Sequence, residues 1–83
     1  NVAVVGHVEW IEFIRVESVP RPGEIVGAHE TWGEPAGGGG VAAVELARLA
    51  GESMLYCVLG GDELGVQARV RLEAAGVRVH SPP

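Results

Sequence analysis

The 83-residue chain contains no lysine, and its six basic residues, all arginine, face eleven acidic ones for a formal charge of −5. A nucleic-acid backbone therefore meets no basic stripe, which excludes nucleic acid as an expected partner. The missing lysine also excludes a Walker A loop, whose Lys must reach the β- and γ-phosphates. Cysteine is nearly absent: Cys57 stands alone in the apolar run 54–59, as a reduced, buried thiol would. Aromatic residues make up only 5% of the chain, and no apolar run approaches the roughly 20 residues that cross a bilayer. The start shows neither the charged region nor the cleavage site of a secretory signal. These absences give the expectation of a cytoplasmic protein with no membrane partner. The chain opens on Asn1 and stops at Pro83 just after a strand-like stretch 77–80, so it reads as a fragment.

Apolar residues are plentiful, at 47%, enough for one small domain and too few positions for two. Residues 1–5 are apolar and β-branched and end at Gly6, as a core strand does. In 8–19 both strand faces carry apolar residues, Val8, Trp10, Ile14 and Val16 against Ile11, Phe13 and Val19, with charges between them. Pro20-Arg21-Pro22-Gly23 then has turn chemistry, and 25–32 returns as a second, partly exposed strand. Residues 8–34 thus read as a β-lid excursion from a core sheet. The run 41–50 predicts a helix apolar around most of its circumference, largely buried and closed by Gly51. Residues 54–59 predict a second core strand of parallel type. Asp62 then caps a helix whose stripe Leu64, Ala68, Leu72 and Ala75 ends at Gly76, and 77–79 begins another strand, with no partner visible in the sequence. Strand, excursion, helix, strand, helix, strand is the order of an α/β sheet with right-handed crossovers.

Four consecutive glycines, Gly37 to Gly40, precede the first helix. They offer no side chain to keep a ligand away and deliver the free N–H donors of a helix start. One reading is a dinucleotide fingerprint, because Gly37-x-Gly39-x-x-Ala42 fits G-x-G-x-x-A and Asp62 follows about 20 residues on. That fingerprint must follow a buried strand directly, whereas 32–36 contains Pro35, which removes a ladder donor. A second reading places a small hydroxylated substrate on the glycines, closed in by polar residues after Gly6 at the carboxyl end of the first strand. The plainer alternative is a tight loop that serves only helix–sheet packing.

The opening strand Val2-Ala3-Val4-Val5-Gly6, the turn Val19-Pro20-Arg21-Pro22-Gly23-Glu24 and Ala36-Gly37-Gly38-Gly39-Gly40 occur in a characteristic order. Ala47-Arg48-Leu49, then Val58-Leu59-Gly60-Gly61-Asp62-Glu63-Leu64-Gly65, and Leu72 to Val77 continue it. In this ordered set the chain resembles the N-terminal part of the ribokinase-like (PfkB) carbohydrate and nucleoside kinases. The resemblance implies a three-layer α/β fold with helices on both faces of the sheet and a small β lid. It implies phosphoryl transfer from ATP to a sugar or nucleoside, with ATP and Mg²⁺ bound mainly by residues outside this chain, and a homodimer formed through the lid. Carried onto this sequence, the substrate-binding positions are Glu9, Gly37, Gly38, Gly39 and Val41. Two of the family's polar contacts are replaced. Val41 stands where an Asn is usual, and Ile11 stands where a second polar residue follows the position of Glu9, so a substrate other than plain ribose is expected. The family's Gly-Ala-Gly-Asp segment, which carries the catalytic base, does not occur. The chain therefore holds no catalytic residue and is expected to be inactive alone. A non-catalytic sugar-binding or dimerising module is the alternative.

Simple structural roles suffice for the rest. His7, His29 and His80 lack metal-ligand spacing, so no metal is expected within the chain. Trp10 and Trp32 read as packing residues of the excursion. Glu45 and Arg48 read as an exposed i, i+3 pair.

Overall fold

Three short, mostly apolar segments form the central sheet: β1 (Ala3–Val5), β4 (Ser53–Tyr56) and β5 (Val77–His80). The computed structural model describes residues 2–82, so Asn1 of the expected first strand lies outside the described residues. The strands run parallel in the order β1-β4-β5, which gives the last strand β4 as its partner. Between β1 and β4 come β2 (Glu9–Arg15), β3 (Glu30–Ala36) and the helix α1 (Gly37–Ala50), and α2 (Glu63–Ala74) links β4 to β5. β2 and β3 form a separate antiparallel pair.

Register decides which face of the sheet is buried. Val4 lies beside Leu55 and Leu55 beside Val79, so these three share one face, and Val5, Tyr56 and His80 share the other. Leu55, Val77 and Val79 join Ala43 and Ala47 of α1, Leu72 of α2 and Cys57 in a single core. Both helices therefore cover the Leu55 face. The opposite face is open within this chain: Val5 is 85% exposed, and Tyr56 stacks on His80 with ring centroids 4.7 Å apart.

α1 seats itself through small residues. Gly39, Gly40, Ala43 and Ala47 are its buried positions, spaced along one helix face. Ser53 lies beneath it and donates from Oγ to the Ala43 carbonyl at 2.7 Å, which offsets the cost of burying a hydroxyl. The helix is less buried than its composition predicts, since Leu49 is 82% exposed. A narrow stripe of alanine and glycine, with Val44 packed beside it, docks the helix, while Val41 and Leu49 are exposed. Gly51, at φ +92°, closes α1 by donating its N–H to the Ala47 carbonyl at 2.8 Å. At the start of α2, Asp62 Oδ1 accepts from the Gly65 N–H at 2.9 Å, the expected cap.

The excursion differs from its sequence reading in register. The returning strand is not 25–32 but β3, which runs on through Pro35 to the first glycine. Cross-strand chemistry explains the shift. Phe13 stands opposite Trp32 and Arg15 opposite Glu30; the two rings stack at 5.3 Å and the ion pair closes at 2.9 Å. Pro35 is tolerated because alternate positions of an antiparallel pair exchange no hydrogen bonds and this pair has free edges. Residues 16–29 form the connection, which includes a turn where the Glu24 N–H donates to the Arg21 carbonyl at 2.9 Å beside Gly23 at φ +80°.

Candidate functional site

The glycines are not a loop ahead of α1; they are its first turn. Gly37, at φ +82°, bends the chain out of β3, a conformation that a side chain would strain. The Gly39 and Gly40 N–H groups then donate to the carbonyl of His7, at 2.9 and 3.2 Å. The strand-end carbonyl thereby takes two of the donors that a helix start leaves free.

Local space separates the glycines further. A Cβ on Gly39 would stand 2.7 Å from the Gly6 carbonyl carbon and 2.8 Å from the His7 oxygen. Gly39 is thus a backbone contact between α1 and the end of β1, and no room is left there for a side chain. A Cβ on Gly37 would come within 2.9 Å of the Glu9 nitrogen, whereas one on Gly38 would meet nothing nearer than the His7 ring, at 3.5 Å. Gly38 is exposed. A Cβ on Gly40 would likewise meet only ordinary contacts, with Val8 at 3.7 Å, but Gly40 is buried. Packing accounts for Gly39, and Gly38 is the exposed glycine of the turn that no close contact requires.

Hairpin register brings the remaining candidates to this place. Glu9 opens β2 and pairs with Ala36, the residue before Gly37. Its Oε1 lies 3.4 Å from Nε2 of His7, and the His7 and Glu9 side chains are 66% and 61% exposed. Ile11, two residues on and facing the same way, stands opposite Glu34. Val41 is 54% exposed and lies one helical turn beyond Gly38. Glu9, Gly37 and Gly38 therefore gather at the carboxyl end of β1, with Val41 on the adjoining helix surface and Gly39 underneath. An exposed carboxylate beside uncovered backbone can accept two hydroxyl hydrogen bonds.

Sequence reading passed over two residues. His7 touches the glycine turn with both its carbonyl and its ring, and its place directly after Gly6 was the only available signal. Arg71 of α2 donates to the Gly33 carbonyl at 3.1 Å and approaches Glu34 to 4.0 Å, tying the hairpin to the body. Its hydrogen-bond partner Gly33 lies 38 residues away, beyond any local pattern. The Trp10 ring covers Gly33, where a Cβ would overlap it, and Trp32 stacks on Phe13, so both indoles pack within the hairpin as expected.

Burial pushes the Cys57 thiol above its ordinary range, partly countered by the nearby Arg69 charge. Among the described residues no three His, Cys, Asp or Glu side chains are grouped to hold a metal ion. Nor, among the described residues, is any helix long and apolar enough to cross a membrane. The dinucleotide reading loses its context: β3 runs directly into Gly37, but as half of an antiparallel pair outside the parallel sheet.

Comparison with known proteins agrees with this geometry. The family described as pfkB family carbohydrate kinase matches residues 1–82. The chain belongs to this family. Among solved structures it is similar to a ribokinase from Cryptococcus neoformans var. grubii serotype A in complex with ADP, at 30% identity and a TM-score of 0.71 over 98% of this chain. It is also similar to a carbohydrate kinase from Agrobacterium tumefaciens, at 28% identity and a TM-score of 0.75 over 96% of this chain. A ribokinase from Thermotoga maritima shares the fold, with a TM-score of 0.73 over 99% of this chain at 24% identity. The chain spans only 25%, 26% and 29% of these three proteins, respectively. No curated protein sequence matched.

Proposed function

We propose that this chain is the substrate-binding, lid-bearing N-terminal part of a kinase that transfers the ATP γ-phosphate to a sugar or nucleoside hydroxyl. One observation carries the reading. Hairpin register sets the Glu9 carboxylate beside Gly37 and the open Gly38, at the end of a parallel strand, where open α/β sheets take their ligands. The hairpin, residues 8–34 in the sequence reading, acts as the lid, and its exposed outer surface is a candidate homodimer contact. Ile11 and Val41 remove two polar contacts, so the substrate differs from plain ribose in the hydroxyls it presents.

The ADP bound by the fungal ribokinase supports nucleotide use here. With no lysine in the chain and no metal-binding cluster among the described residues, the residues present do not fit Mg²⁺ or the ATP phosphates. Both are assigned to the part of the protein beyond this segment, together with the catalytic base. What these residues do is bind and orient the acceptor. Glu9 accepts from substrate hydroxyls, the glycine turn admits the sugar close to backbone, and the hairpin limits water. The protein works in the cytoplasm, and residues 1–83 alone transfer no phosphate.

A panel of sugars and nucleosides tests this on the intact protein, first by thermal shift and then by ADP release. A ligand that binds only the native state raises its melting temperature, and a true substrate also drives ADP release. A panel without response would refute the reading. Half-exposed, apolar Val41 favours a second reading, a sugar-binding module without transferase activity, which predicts thermal shifts without ADP release.

A further inference from the structure

We infer that His7 is a specificity-determining residue, and that its imidazole and the Glu9 carboxylate act as one donor–acceptor unit for a pair of adjacent substrate hydroxyls. The inference rests on the proposed sugar-binding role and adds the residue that replaces the lost polar contacts. Three observations carry it. First, the His7 ring is the nearest side chain to both Gly37 and Gly38: its edge lies 3.1 Å from where a Cβ of Gly37 would be and 3.5 Å from that of Gly38. A side chain on Gly37 would press on the imidazole and one on Gly38 would lie against it, so the two glycines leave that side of the ring uncovered. Second, Nε2 stands 3.4 Å from Glu9 Oε1, and both side chains are well exposed. The two groups are thus adjacent, and neither is committed to a buried partner. Third, the His7 carbonyl is fixed by the Gly39 and Gly40 N–H groups, so the imidazole projects from a backbone that the helix start holds in place.

Ile11 and Val41 offer no hydrogen bond, which leaves His7 and Glu9 as the polar side chains at the glycine turn. An imidazole presents one nitrogen donor and one acceptor, and a carboxylate accepts only. Two neighbouring hydroxyls, each able to donate and accept, match that set. A single hydroxyl or an apolar ring does not.

The test uses the intact protein with D-ribose, D-fructose and adenosine as probes, without nucleotide, by thermal shift and calorimetric titration. For the probe that binds best, His7→Ala and Glu9→Gln should each weaken binding about tenfold, and the double variant little more than either alone, because both remove the same unit. His7→Gln, which retains a donor and an acceptor, should recover most of the affinity. The melting temperature without ligand should stay unchanged in all of them, separating recognition from folding. Probe binding by His7→Ala at unsubstituted affinity would overturn the role of His7 while leaving the sugar-binding reading intact. Failure of all three probes to bind the unsubstituted protein would overturn both.

Discussion

The α/β body and the hairpin are built on different physics, although they belong to one short chain. In the body, Leu55 and Leu72 are completely buried in a core shared by three strands and two helices. In the hairpin, Ile14, Val19 and Ile25 face solvent, Ile25 at 97% exposure, and order comes from cross-strand pairs such as Phe13 with Trp32. Burial of apolar area sets the shape of the body, whereas pairwise contacts set the hairpin. A segment held by few buried contacts opens at low free-energy cost, which is what the proposed lid role requires.

Core truncation should separate the two regions most widely. Leu72→Ala is expected to destabilise the body by about 2–5 kcal/mol in urea unfolding. The glycine turn tests whether packing and recognition divide within one motif. Gly39→Ala should cost about 1–3 kcal/mol, because its Cβ meets backbone that cannot yield, whereas Gly38→Ala should leave stability the same or slightly higher. In the hairpin, Phe13→Ala should cost about 1 kcal/mol through the lost ring stack. Its effect should appear as faster amide exchange in β2 and β3 and leave β4 protected. Asp62→Ala should remove a cap worth about 1 kcal/mol from the body without altering hairpin exchange.

The smallest effect is one of pH. Because burial raises the folded Cys57 pKa, the thiol's contribution to stability is complete below its unfolded pKa and is lost as pH rises through the folded value. Cys57→Ala should therefore flatten the alkaline fall in stability, read from unfolding curves above about pH 9. An unchanged alkaline slope would contradict the burial.

Legibility in the sequence followed the same division. Residues 77–80 and the Asp62 helix could be read because alternation, spacing and a cap agree locally. The bounds of β3 are not legible locally, because its register depends on partners 15 to 27 residues away in β2, and because Pro35 argues against a strand unless the sheet is known to have free edges. Helix propensity disfavours glycine, so the sequence places 37–40 ahead of the helix. Their helical state depends on the His7 carbonyl and on close approach to Gly6, which only the folded chain shows. Glu9, Gly37 and Gly38 are candidates that family resemblance supplies; the packing contact of Gly39 and the place of His7 emerge only from three-dimensional contacts.

The central claim is that Gly38 faces substrate and that packing does not require it. Gly38→Leu in the intact protein measures this directly, through the KM for the sugar found by the panel. The account predicts a KM raised at least tenfold, with an unchanged KM for ATP and an unchanged melting temperature without ligand. A variant that keeps the original sugar KM would contradict it.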